Sequence, residues 1–411
     1  MNSSAVPAPV AKVQDREPLL GLAPLMTMAF RGIDLTLLGQ RLIARASADP
    51  DDANALMDLS IVLQLKELRD MGLAVQAQAL HLQQRFHLPA RGGVSAIRLL
   101  AIMAPGDLMA NTPLDFLLQH SDVALDLLYV LPGKPFPPAL PEHDLIMVAV
   151  CESERNRALL QRLALLAPSW PCPVLNLPER IARAGREVAH ALLASAPGVH
   201  IPVSARLDRG ALEQVACEQR ALASVLEDAS FPVIIRPLDA HAGHGLMKLD
   251  APHALGEYLR AMSEPEFVLS QFVDYRSADG LYRKYRVALI DGRPYACHMG
   301  ISEQWMIHYL NAGMTESAQK RAEEAQFMAR FDRDFARRHA RALSAVAARL
   351  ALDYVVIDCG ETRDGKLLLF ELDAGAVVHS MDPVELFPYK RPTMQKVFAA
   401  FRAMLSRAMD R

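Results

Sequence analysis

The 411-residue chain predicts a mixed α/β protein, and three observations carry that prediction. Short apolar runs alternate with helical stretches between residues 97 and 194, the pattern of a parallel α/β layer. Farther on, Asp291-Gly292 and Asp364-Gly365 each separate two apolar runs, as two-residue turns do in antiparallel hairpins. Ahead of both, residues 34–87 carry apolar side chains at helical spacing. The expected layout is a tail and helical region over 1–93, a parallel α/β domain over 94–200, and two α+β lobes over 201–270 and 271–411.

Composition bounds the partners. With 51% hydrophobic and 22% charged residues, the chain can bury substantial cores. A net charge of −3 offers no general attraction to nucleic acid or to an anionic membrane. The five cysteines contain no C-x-x-C pair, which argues against a disulfide framework or a zinc site and for a reducing compartment. The opening MNSSAVPAPVAKVQDREP lacks the charged head and apolar core of a signal peptide, and the apolar stretch 19–30 is too short to span a bilayer. A cytoplasmic protein without nucleic-acid or membrane partners is expected.

Taken in order, residues 1–18 read as a loose tail. Asp49-Pro50-Asp51-Asp52 is a cap-like break. After it, Leu56, Leu59, Ile61, Val62 and Leu63, then Leu73, Val75, Leu80 and Leu82, supply apolar faces for two helices. ADPDDANALMDLSIVLQL resembles the start of a tetratricopeptide helix pair, and a single such unit implies an appendage and not a solenoid. Strands are expected at 97–103, 123–130, 145–150 and 174–177, with helices at 152–166 and 178–194 and a Pro-rich surface link at 131–141. No G-x-G-x-x-G follows the first strand, which argues against a dinucleotide-binding domain. Beyond residue 200, strands are expected at 231–236, 246–249, 267–273, 287–290 and 294–299. The charged stretch 315–350 reads as one or two helices with a solvated face, and 384–409 as a helix interrupted by Pro388 and Pro392.

Three segments carry chemistry. In the hairpin 353–373, a two-residue turn at Asp364-Gly365 pairs Arg363 with Lys366 and sets Asp358 opposite Glu371. Alternation then puts Asp373 on the face of Glu371. Carboxylates so placed call for a proton or a hard cation such as Mg2+, which keeps waters and bridges to phosphates; a solvated acidic edge is the alternative. In FPVIIRPLDAHAGHGLMKLD, Arg236 ends a strand and Gly243 and Gly245 sit in a loop whose amides can approach an anion. A plain glycine hairpin beside a half-buried arginine would look the same, and the Walker pattern is absent. Arg276, Arg283, Lys284 and Arg286, beside Tyr282 and Tyr285, would attract a carboxylate or form a surface charge run, and of these Arg286 is singled out. His308 and His379 are candidate substrate contacts or proton acceptors. His241 and His244 read as loop residues without metal partners.

The order of these segments resembles the ATP-grasp superfamily, in its glutathione synthetase and ribosomal-protein glutamate ligase branch, over about residues 95–385. IIRPLDAHAGHGL resembles that family's strand and phosphate lid, FVLSQFVD its hinge, YRVALIDGRPYAC the following hairpin, LNAG its Asn-bearing loop and VIDCGETRDGKLLLFELD its metal hairpin. NLPERIARAGREVAHALLASAPGVHIPVS resembles the entry helix and following strand. The resemblance implies two ATP-grasp lobes behind a pre-ATP-grasp domain, with Gln271, Phe272 and Val273 framing adenine through backbone groups. It implies Arg186, Arg236, Gly243 and Gly245 on the nucleotide, Arg286, Arg236 and Asn311 at the reacting groups, and Asp358, Glu371 and Asp373 on Mg2+, for which Mn2+ could substitute. Arg186 and Arg236 stand where the family has lysine, and Asp373 where it usually has asparagine. The implied activity is ATP-dependent ligation of a small-molecule or peptide carboxylate to an amine through an acyl phosphate. A phosphoryl transferase and an inactive nucleotide-binding module are the alternatives, and a homo-oligomer is compatible with all three.

Overall fold

The computed structural model describes residues 16–137, 140–238 and 243–410. Most of the expected tail, and His241 in the glycine loop, lie outside the described residues. The chain divides into two compact units, Met1–Leu88 and Pro89–Arg411.

The first unit contains α1 (Leu22–Phe30), α2 (Thr36–Ala48), α3 (Ala53–Leu65), α4 (Arg69–Leu82) and the short strand β1 (Arg85–Leu88). The acidic break works as a cap: Asp52 accepts the Ala55 N–H at 2.9 Å and starts α3. Residues 53 and 55–62 of α3 are buried, making it the central helix of this unit. Its Asp58 accepts the backbone N–H groups of Leu20 and Gly21 at 2.9 and 3.0 Å, and burial pushes its carboxyl up to about 6. Most of the apolar stretch that is too short for a bilayer forms α1, a helix the periodicity does not announce. No described helix is long and apolar enough to cross a membrane.

The second unit opens with a parallel sheet of β2 (Ile97–Met103), β3 (Val123–Tyr129), β4 (Leu145–Val148) and β5 (Val174–Leu175), with β3-β2-β4-β5 as neighbours. The connecting helices include α5 (Leu114–Leu117) and α6 (Glu154–Leu166), the latter capped by the Ser153 hydroxyl. The helix expected over 178–194 breaks at Gly185 into α7 (Pro178–Ile181) and α8 (Arg186–Leu193), because Gly185 takes an extended conformation and leads into α8. β6 (Val199–His200) then leaves the parallel layer and joins the last sheet.

An antiparallel sheet follows, ordered β7-β10-β8-β9, from β7 (Ser204–Asp208), β8 (Val233–Pro237), β9 (Met247–Leu249) and β10 (Glu266–Gln271). With α9 (Arg209–Ala216) and α10 (Pro252–Ala261) it encloses its own core of Leu212, Ile235, Leu255 and Phe267. The third sheet runs β12-β11-β13-β14-β6, with β11 (Tyr282–Ile290), β12 (Arg293–Ser302), β13 (Tyr354–Glu361) and β14 (Leu367–Asp373). Between β12 and β13 the charged stretch folds as three helices, α11 (Ala318–Arg330), α12 (Phe335–Arg338) and α13 (Ala340–Leu350). The final helix α14 is Lys390–Met409 and takes Pro392 into its first turn, where no intrahelical N–H is needed. A continuous core joins the first and third sheets through residues such as Leu100, Val148, Val287 and Ile357.

Candidate active site

The third sheet lines up chemistry-bearing residues across four strands. Glu371 of β14 lies directly opposite Asp358 of β13, Asp358 opposite Arg286 of β11, and Arg286 opposite His298 of β12. Directly opposed residues share a face, so His298, Arg286, Asp358 and Glu371 form one row. Lys284, two positions from Arg286, points to the same side.

The hairpin that sets this row differs from the expected one. The Gly365 N–H bonds to the Thr362 carbonyl at 2.9 Å and the Thr362 N–H to the Lys366 carbonyl at 3.0 Å, so the loop has three residues, Arg363 to Gly365. Gly365 sits at φ 80°, as the last residue of a three-residue loop requires. Arg363 therefore does not pair with Lys366. A bulge after Asp358, with Phe370 as the extra residue, moves the register back by one and restores Asp358 opposite Glu371.

The three carboxylates of the row's acidic end are not equivalent. The Asp358 side chain is 4% exposed. It accepts Nε and Nη2 of Arg286 at 2.7 and 2.9 Å and faces the Lys284 ammonium at 2.7 Å. Burial alone would raise its carboxyl, but the charges of Arg286 and Lys284 hold it far below the usual carboxylate range. Arg286 gives its remaining arm to the Val377 carbonyl at 3.3 Å. Glu371, with its side chain 43% exposed, pairs with Arg186 of α8 at 2.8 Å, and the same guanidinium reaches the Phe370 carbonyl at 3.2 Å. Asp373 accepts the Gly375 N–H at 2.7 Å. Loss of water around it, and then the charge of Glu371, push its carboxyl up to about 7.

This arrangement corrects the expected metal triad. Among the described residues, no group of three or more His, Cys, Asp and Glu side chains is disposed to hold a metal ion, and Asp358 is already matched by two cations of the fold. Glu371 and Asp373 do fit a hard cation. They share a face of β14, and a positive ion between them would offset both the burial and the Glu371 charge that raise the Asp373 carboxyl. Two carboxylates suffice for Mg2+ where waters and phosphates supply the other oxygens.

The glycine loop meets this site through His308. Gly243 and Gly245 have φ of 76° and 63°, values that favour glycine, and the space a side chain on Gly243 would need is filled by the His308 imidazole. Burial and then the Lys284 charge lower the His308 pKa, and Asp358, Glu371 and Arg286 also act on it. Arg236 stands on β8 opposite Val268, alternating with the buried Ile235 and Pro237. At the hinge, the Gln271 and Phe272 N–H groups are engaged by the carbonyls of Val203 and Pro232 at 3.0 and 3.3 Å. Those two donors are therefore taken within the fold. The Phe272 ring packs edge-on against Trp305 at 5.8 Å and lies under the Lys248 ammonium at 5.1 Å. Lys248, Met247, Trp305, Gln304 and Asn311 line a cavity of about 370 Å³. Asn311 lies on that wall, its Oδ1 accepting the His308 N–H at 3.0 Å.

No family model and no curated protein matches the chain. Solved structures do. A D-Ala:D-Ser ligase, VanG, from Enterococcus faecalis aligns over 75% of this chain and 99% of its own, at 13% identity and a TM-score of 0.45. A D-alanine–D-alanine ligase from Bacillus anthracis, complexed with ATP, aligns over 76% and 99%, at 12% identity and 0.40. A RimK domain ATP-grasp protein from Sphaerobacter thermophilus aligns over 74% and 98%, at 17% identity and 0.39.

Of the basic cluster, Arg276 is tied to Asp274 and Arg283 to Asp279 and Glu323, which leaves Lys284 and Arg286 facing the row. Burial, above all, lowers the His379 pKa to about 4. The sequence reading missed two features. His298 completes the row. Glu324, in the stretch read as solvated, is fully buried, where it accepts Tyr309 and Tyr389 hydroxyls at 2.8 and 2.7 Å and the Met299 N–H at 3.0 Å. Lys390 joins that network by donating to the Tyr309 hydroxyl at 2.5 Å, with Glu324 3.7 Å away and Asp382 3.1 Å away, and so anchors the turn that carries His308 and Asn311.

Proposed function

We propose that the chain joins a carboxylate to an amine at the expense of ATP, within an ATP-grasp arrangement of the lobes 201–270 and 271–411. The observation that carries this reading is the row of opposed charges on the third sheet facing a loop with two positive-φ glycines. Phosphates need donors and cations on one side and a metal-binding pair on the other, and the two sides meet at His308. Glu371 and Asp373 would hold Mg2+, which when bound neutralises charge on the phosphates. Arg186 pairs with Glu371 and presents a guanidinium beside it, while Lys284 and Arg236 offer positive charge to the transferred phosphoryl group. Arg286, locked on Asp358 and on the Val377 carbonyl, fixes the row and the segment after β14. The substrate carboxylate attacks the γ-phosphate, and the acyl phosphate so formed is captured by the amine. No protein nucleophile is needed.

The test is stoichiometric. Purified protein with MgATP should release ADP only when a carboxylate donor and an amine are both supplied. ADP formed with a phosphorylated alcohol would replace the ligase reading with a kinase. Glu371→Gln should abolish turnover while the melting temperature stays within a few degrees, since its partly exposed pair with Arg186 contributes at most about 1 kcal/mol.

A further inference from the structure

We propose that His298 of β12 accepts the proton shed by the attacking amine, a role that rests on the ligase reading above and assigns its missing base. An amine arrives mostly as an ammonium ion and cannot attack until a proton is removed. His298 stands at the end of the row, directly opposite Arg286, on the face that carries Lys284, Asp358 and Glu371. Its ring packs against Tyr309, with centroids 4.7 Å apart, which fixes the imidazole plane.

The groups that bear on it come from every neighbouring element: Arg286 and Lys284 from β11, Asp358 from β13 and Lys390 from α14, with the Tyr309 ring tilted against it. Burial and then these cations hold its pKa well below the ordinary imidazole value, so the ring is neutral at pH 7 and gains the basicity the step needs only when the charge in the row changes. Anionic phosphates entering the row would offset the cations and raise its basicity when the acyl phosphate forms. In the step itself, the amine nitrogen bonds to the acyl carbon and the carbon–oxygen bond to phosphate breaks. Phosphate leaves with the electron pair and takes up the second N–H proton, the first having passed from the ammonium to the imidazole before attack.

Hydroxylamine separates this role from a structural one, because it is largely unprotonated at pH 7 and needs no base. Full-length wild type and His298→Gln are given MgATP and, as carboxylate donors, the common amino acids in L and D form and short acidic peptides. The acceptor is either hydroxylamine or the same amino acids. His298→Gln should form hydroxamate within about twofold of wild type, yet lose on the order of 100-fold in amide formation at pH 7 and recover it as the pH is raised toward the amine's own pKa. Equal amide formation at pH 7 in the two proteins would overturn the assignment, as would joint loss of hydroxamate and amide in a variant that melts normally. If His298→Gln melts early, His298→Asn is read by the same criteria. Absence of hydroxamate from the wild type with every donor removes the ligase reading, and this role with it.

Discussion

Asp358 and Asp373 sit on one face of adjacent strands, and the fold treats them in opposite ways. Around Asp358 it places a two-pronged arginine and a lysine, all within 2.9 Å, so the carboxylate stays ionised despite burial. Around Asp373 it places burial and then a second carboxylate, which the single backbone N–H does not offset, so the carboxyl is pushed up to about 7. Position on a strand therefore does not make a metal ligand; the neighbouring charges do. Where the chain supplies the cations, charge is balanced within the fold, and where it does not, a proton or an external cation must balance it.

The comparison breaks most sharply at Arg286. Arg286→Met leaves a buried carboxylate with Lys284 alone, and removing one partner of such a pair costs about 3–5 kcal/mol. The wild-type contribution is present above the unfolded carboxyl value of about 3.8 and is lost on acidification, because the folded pKa is depressed. Denaturant unfolding across pH should show the variant destabilised at neutrality with a flattened acid limb; a loss under 1 kcal/mol would contradict the pairing.

Asp373→Asn sharpens the other side. Here the folded pKa is raised, from 3.8 to about 7, so the group's contribution is full below about pH 4 and disappears as pH rises to about 7. Without metal, wild-type stability should fall across that window. The asparagine variant should be flat there and more stable at pH 8 by about 4 kcal/mol. MgATP should protect the wild type above pH 7 more than the variant. Parallel pH curves for the two proteins would mean that Asp373 is ionised without help.

The sequence made some of this legible for physical reasons. Uniform apolar runs announced the parallel strands, and counting back from the turn put Asp358 opposite Glu371 even though the turn was misread, because the extra loop residue and the bulge at Phe370 cancel. His298 had no such luck. Regular pairing from Ile290 opposite Arg293 would set Cys297 against Arg286, and only the bulge between Arg286 and Val287 brings His298 there. Bulges depend on packing across the sheet and leave little trace in one strand. Glu324 hid for another reason: its partners Tyr309 and Tyr389 lie 15 and 65 residues away, beyond the reach of any local charge pattern.

The smallest effect isolates the loop from the sheet. Gly365→Ala forces a side chain into φ 80°, at a cost of about 1 kcal/mol, with nothing within 4 Å of the added Cβ to clash. The register of Asp358 and Glu371 is held by the apolar face of β13 and β14 and by the bulge, since a slip of one residue would turn every buried leucine outward. Stability should therefore drop by that amount at all pH values, while the decline between about pH 4 and 7 assigned to Asp373 keeps its slope. A changed slope in Gly365→Ala would mean that the loop, and not the sheet, sets the spacing of the carboxylates.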